Sequence, residues 1–400
     1  MKNATPEQLA NLARRAASIS HDLGPLARGE DGRLTPDGRA RFAQWAGRVL
    51  RRHRATGAAI VLISPGAQAD VFCFGRARLR PCIPVTARTC FRVASVSKLA
   101  LSFGALSLTE DGRLSLDEDV SRLAGYLVQN PHAPHFPVTL RMLLTHTAAL
   151  RDEGAYGTRG MEPGCTMREL LENPANWLPQ APGQDFHYSN LGAGVAGALM
   201  ERAAGEPLDL LMQRRVFAPL RIRASYDPRV IRPAEDLADG YAVRAFFPPS
   251  RRYDAAALAA RPPEPFDPER DYLCAAGRLI TDTHGMEALL RLLASRDGMG
   301  VITGASLDTM REDQSGIGGI AHAGRGLNTA FLPGVFPGLS PVGHQGVAYG
   351  MCAELFADPA SGLGVGVMTN GVRLVRTPPL MRAGFDLLCL GFAALNAQPR

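Results

Sequence analysis

The sequence predicts an α+β chain: one antiparallel sheet flanked by helices, assembled from both ends of the chain and interrupted by a helical insertion. Three observations lead there. Apolar strand-type runs occur early, at 57–64 and 69–74, and return only late, at 351–356 and 364–369. The long stretch between them reads mainly as helix and loop. Four hundred residues, 46% hydrophobic and 20% charged, are enough to bury a large composite interior.

In chain order, Met1 to Ile19 forms an amphipathic helix and Gly24 to Gly38 is rich in turn residues, so residues 1–36 read as an N-terminal extension. A helix from about Arg39 to Arg54 carries Phe42, Trp45, Ala46 and Val49 on one face. Gly57 to Ser64 is an apolar strand closed by Pro65-Gly66, with Ala69 to Phe74 as its hairpin partner. Past the loop Pro81 to Thr89, the stretch Ser95 to Leu108 is an almost wholly apolar helix that stops at Asp111-Gly112. A helix apolar on all sides is a buried one. Pro-rich insertions follow around Asn130 to Pro137 and Pro248 to Pro268. Two late strands, Met351 to Phe356 and Gly364 to Thr369, flank a turn, and a last helix covers about Pro379 to Leu395. The division this implies is a sheet domain from 37–95 and 286–400, a mainly helical inserted domain over 96–285, and a ligand groove between them.

The net charge of +6 comes from scattered arginines, and the densest cluster (Arg51, Arg52, Arg54) ends a helix as a solvated face. No zinc-finger spacing or RNP-like motif is present, so no nucleic-acid partner is expected. No run approaches the roughly 20 apolar residues of a bilayer span, and the N-terminus lacks a signal-peptide core. The expectation is a cytoplasmic protein with no membrane partner. Seven cysteines (Cys73, Cys82, Cys90, Cys165, Cys274, Cys352, Cys389) form no CxxC pair and have no histidine at ligand spacing. They read as buried free thiols, which argues against a zinc site and a full disulfide framework.

Of 44 Lys plus Arg residues only Lys2 and Lys98 are lysines. Where arginine supplies the surface charge, a lysine inside an apolar helix points to chemistry, because lysine can lose its proton when buried and arginine in effect cannot. Ser95 lies three residues earlier, so a hydroxyl and an amine project from one helix face a turn apart. The helix N-terminus also places the Ser95 N–H where it can stabilise an oxyanion. A second cluster, Tyr188-Ser189-Asn190, precedes the helix Leu191 to Ala204. Tyr188 is a candidate proton carrier; taken singly, the cluster is equally a core tyrosine with a helix cap. The third, Gly343-His344-Gln345-Gly346, reads as an inner edge strand lining the groove. Gly346 would let substrate backbone approach, and the Val347 N–H would be a second oxyanion donor. For His344 alone, a core or surface imidazole is the commoner explanation.

The order Ser95-Val-Ser-Lys98, Tyr188-Ser-Asn190, His344-Gln-Gly346 resembles the three motifs of class C β-lactamases and their relatives. These include D-alanyl-D-alanine carboxypeptidases, D-aminopeptidases, β-lactamase-like esterases and statin-type acyltransferases. FRVASVSKLALSFGALSLTEDGRLSLDEDV, LRMLLTHTAAL and GLGVGVMTNG are similar to the family's nucleophile region, following helix and late strand, and the resemblance covers roughly residues 40–392. It implies a β-lactamase/transpeptidase-like fold and a serine hydrolase that is acylated on Ser95. Lys98 and Tyr188 would manage protons, Asn190 would contact substrate, Ser95 and Val347 would supply the oxyanion hole, and no metal or organic cofactor is implied. The substrate implied is a small ester, amide or peptide-like molecule; acyl transfer, β-lactamase and DD-peptidase activities are the alternatives, and the oligomeric state is open. Two departures stand out. LTHTAAL lacks the family's usual Ser-Gly pair, and His-Gln-Gly stands where dedicated β-lactamases carry Lys-Thr-Gly. With a neutral His344, carboxylate recognition is expected to be weak, or to depend on an arginine whose place the sequence does not give. Short-chain esters and uncharged amides should then outrun cephalosporins.

Overall fold

The computed structural model of the protein describes residues 4–152, 166–262, 267 and 273–396. The run GAAIVLI forms β1 (Gly57–Ile63), buried at every residue. A strand apolar throughout must be covered on both faces. Ala58, Ile60 and Leu62 join one apolar cluster while Ala59, Val61 and Ile63 join another, the two-residue alternation of a pleated strand. β2 (Asp70–Arg78) folds back on β1, and β3 (Ile83–Pro84) adds a short edge. The last third of the chain adds β4 (Ala330–Phe331), β5 (Val342–Ala348), β6 (Met351–Asp358) and β7 (Leu363–Thr369). The strand order is β3-β2-β1-β7-β6-β5-β4, antiparallel at every pairing. The register from Ala58↔Thr369 to Ile63↔Gly364 seams the two ends of the chain together. The α+β class and the antiparallel sheet expected from the strand pattern are present.

The helices that position the site are α1 (Pro6–Leu23), α2 (Pro36–Arg52), α3 (Val96–Glu110), α4 (Leu140–Thr145), α5 (Asn190–Ala204), α6 (Thr283–Ala294) and α7 (Arg382–Leu395). One face of the sheet carries α1, α2 and α7, where Leu12, Phe42, Leu388 and Phe392 pack with Ile60. Arg15 of α1 reaches Asp386 of α7 at 2.5 and 2.6 Å, and His53 Nε2 stands 3.2 Å from the same carboxylate. The other face carries α6, through Met286, Leu289 and Leu290, and beyond it α3, in which every residue from Val96 to Leu108 is buried.

Some sequence expectations need correction. The first helix starts at Pro6 and runs on to Leu23, because Thr5 and Gln8 form a capping box. The middle region, read as mainly helix and loop, also holds strands: Ser250–Tyr253 pairs with Gly240–Ala242, and Ala255–Ala259 is helical, while 263–266 and 268 lie outside the described residues. The thiols are free but not uniformly buried. Cys90, Cys352 and Cys389 are buried whereas Cys73 and Cys82 are exposed, and Cys165 lies outside the described residues. Among the described residues no helix is long and apolar enough to cross a membrane, and no three potential metal ligands cluster.

Candidate active site

Ser95 caps the N-terminus of α3 at the end of a constrained turn. Ala94 before it has φ 47°, a left-handed conformation that alanine adopts only when its surroundings impose it. Here Ser97 imposes it: its N–H and Oγ both donate to Ala94 O, at 2.9 and 2.5 Å. Leu279 N donates to Ser97 Oγ at 2.9 Å, and Val93 N donates to Leu279 O at 2.9 Å. The turn leaves Ser95 half-buried, and its N–H donates to no acceptor among the described residues.

Lys98 is fully buried one turn on. Its Nζ lies 3.2 Å from Ser95 Oγ, 2.8 Å from Asn190 Oδ1 and 2.6 Å from Ala276 O. Two of these partners can only accept, and the third is a hydroxyl. The amine thus has a donor for each of the two acceptors and stands within reach of the serine hydroxyl. The ring of Tyr188, half-buried in the groove wall, is centred 5.1 Å from Nζ.

Asn190 begins α5, and what orients it is a residue the sequence reading missed. Asp152 accepts from Ser189 Oγ, from Asn190 N and Nδ2, each at 2.9 Å, and from Leu191 N at 3.2 Å. A carboxylate is well placed at a helix N-terminus. By taking Nδ2, it turns Oδ1 of Asn190 toward Lys98. The only sequence signal was an acid shortly after the LTHTAAL segment.

In the third motif, β4 covers only Val342 and Gly343, so the edge of β5 is uncovered by a strand from His344 onward. Cys352, across from Val347, donates its N–H to Thr369 Oγ1 on β7 at 3.0 Å. Donors alternate along an antiparallel ladder, so Val347 and Cys352 form a non-hydrogen-bonded pair and the Val347 N–H points out of the open edge. Gly346 sets that edge against the nucleophile turn. A Cβ there would lie 2.0 Å from Val93 O and 2.9 Å from Ser95 N. The close approach that Gly346 permits here is to the chain's own backbone, a contact the sequence did not indicate. Gln345 turns away from the groove, donating to Glu354 and accepting from Met381 N at 3.1 Å.

His344 does not line the groove openly. It is fully buried, with its ring 6.3 Å from that of Tyr188, and the ring of His146 lies 4.5 Å from the same tyrosine. Burial, aided by the charges of Lys98 and Arg325, holds His344 well below the usual imidazole pKa. Burial followed by Arg325 and Lys98 does the same to His146. Both rings are therefore neutral at pH 7. Ser189 N donates to His146 Nδ1 at 3.2 Å, which puts the His146 proton on Nε2. His344 Nδ1 stands 2.6 Å from Gln345 O, which puts its proton on Nδ1.

The family model described as Beta-lactamase matches residues 36–383. The chain belongs to the beta-lactamase family. It is a serine hydrolase of that family, with the fold the motif order implied. It is 30% identical over 355 residues to Esterase EstB of Burkholderia gladioli, covering 80% of this chain and 88% of the esterase. Among solved structures it is similar to an octameric penicillin-binding protein homologue from Pyrococcus abyssi, with TM-score 0.68, 21% identity, and coverage of 83% of this chain and 73% of the other. It is also similar to EstCE1, a hydrolase with promiscuous acyltransferase activity, with TM-score 0.65, 23% identity, and coverage of 90% and 98%.

Proposed function

We propose that this beta-lactamase-family hydrolase cleaves esters or amides of small or peptide-like molecules through an acyl-enzyme on Ser95. The observation that carries the reading is the setting of Lys98 Nζ, with two acceptor-only partners and Ser95 Oγ at 3.2 Å. Lys98 takes the Ser95 proton as Oγ attacks the carbonyl carbon. The resulting oxyanion is received by the N–H groups of Ser95 and Val347. Lys98 and Tyr188 pass the proton to the leaving group, and water then attacks the acyl-enzyme with the proton returning along the same path. Asn190 holds Lys98 in place and faces the substrate amide. The site lies where the sheet part (37–95 with 286–400) meets the helical part (96–285), which we treat as its two domains. The free thiols support a reducing compartment, in keeping with a cytoplasmic location.

The likeness to EstB favours an ester substrate, and the likeness to EstCE1 favours acyl transfer to an added alcohol as a second outcome of the same intermediate. The test is labelling with a fluorophosphonate probe, followed by turnover of p-nitrophenyl butyrate, a D-amino-acid amide and a chromogenic cephalosporin. Wild type should label and turn over the ester. Ser95→Ala should do neither while losing at most about 1–2 kcal/mol of stability. Labelling of the alanine variant would overturn the assignment.

A further inference from the structure

Four buried polar atoms around Tyr188 have no partner among the described residues: Arg325 Nε, Arg325 Nη1, His146 Nε2 and His344 Nε2. Arg325 lies in the segment leading to β4 and β5. It is 1% exposed, its guanidinium stacks 4.2 Å over the ring of Phe186, and no carboxylate among the described residues forms an ion pair with it. Burial lowers its pKa only to about 10, so it stays charged at neutral pH. A buried cation without a counter-ion is among the least favourable arrangements in a folded protein, and buried donors without acceptors add to the cost. Such a set is explained when a ligand completes it. Three of the four orphans are donors, because the proton of His146 is on Nε2. The set therefore calls for an anion, and a planar guanidinium suits a carboxylate. Phe186 and Tyr188, both half-buried, connect this cluster to the groove in which Lys98 and Ser95 stand.

We propose that Arg325, with the Nε2–H of His146, is a carboxylate receptor of this active site and selects esters or amides that carry a second, negatively charged group. The proposal rests on the hydrolase reading above, and it supplies the arginine that carboxylate recognition requires when position 344 carries no cation. The carboxylate belongs to either the acyl or the leaving portion of the substrate, and the assay separates the two. The acyl arm compares mono-p-nitrophenyl glutarate with p-nitrophenyl pentanoate. The leaving-group arm compares 4-butanoyloxybenzoate with its methyl ester. In wild type the charged member of one pair should have a kcat/KM at least about tenfold above its neutral partner, the scale of one hydrogen bond to a charged group. Arg325→Met should bring that ratio to about one, and Arg325→Lys should leave it in between. Free glutarate or benzoate should compete with p-nitrophenyl butyrate and raise the Tm of wild type, whereas glutaramide and benzamide should do neither. This last comparison needs no variant and decides the matter if Arg325→Met does not fold. Ratios at or below one in both arms, or a preference that survives in a folded Arg325→Met, would overturn the receptor. Failure of every ester to turn over would instead overturn the hydrolase reading, and the Tm shift would still test Arg325.

Discussion

Gly346→Ala adds one methyl group at the point where β5 touches the nucleophile turn. Its Cβ would stand 2.0 Å from Val93 O and 2.9 Å from Ser95 N. An ordinary carbon–oxygen contact is about 3.3 Å, so the strand and the turn must separate by roughly 1.3 Å. No flexible side chain can absorb this, because both contacts are backbone atoms. The turn is also tied down, by Val93 N to Leu279 O at 2.9 Å, Val96 N to Val93 O at 3.2 Å and Ser97 Oγ to Ala94 O at 2.5 Å. The displacement therefore falls on the spacing between the Ser95 and Val347 amides, the two proposed oxyanion donors. A misplacement of about 1 Å costs on the order of 100-fold in rate, or about 2.7 kcal/mol of barrier. Overpacking should cost a further ~1–3 kcal/mol of stability. The assay is kcat and KM for p-nitrophenyl butyrate, with thermal unfolding in parallel. The expected result is a folded variant whose kcat falls about 100-fold with a smaller change in KM. Activity within about threefold of wild type would refute the argument that Gly346 sets the oxyanion geometry.

Lys98→Arg should be nearly as inactive as Lys98→Ala, losing about 100- to 10,000-fold in kcat, because arginine cannot act as a neutral base and is larger than the buried site allows; retention of most activity would leave Lys98 only an electrostatic role. Asp152→Asn should lower kcat at least about tenfold with little change in probe access to Ser95, since an amide cannot accept from all the donors that now converge on the carboxylate and Asn190 loses its orientation; unchanged kinetics would remove Asp152 from the positioning of Lys98. Burial alone would raise the pKa of Asp386, but hydrogen bonds from His53 and Arg15 and their charges bring it below the usual carboxylate value. Its stabilising effect is then present above the unfolded pKa of about 3.9 and is lost as pH falls through the lower folded value. Urea midpoints of wild type and Asp386→Asn should therefore differ near neutrality and converge in strong acid, and a gap independent of pH would contradict this.

Local chemistry made part of this protein legible without a structure. The spacing of Ser95 and Lys98 on a helix determines that they are neighbours, whatever the rest of the chain does, and one of only two lysines in an arginine-rich chain marks itself. Strand runs at both ends, with helix between, likewise determined a sheet closed across the termini, because an all-apolar run such as GAAIVLI has to be covered twice. Contacts without a period or a spacing had to wait for the tertiary structure. Asp152 meets Asn190 across 38 residues, Ala276 O meets Lys98 across 178, and Gly346 meets the Ser95 turn through the packing of a sheet edge. Nothing in the alternation of β5 says that His344 is fully buried near Tyr188, or which of its many arginines the chain buries without a counter-ion among the described residues. Periodicity records which face of an element is apolar, but which edge or turn that face meets is decided by how the layers dock, and the burial of His344, Arg325 and the Ser95 turn is a property of that docking.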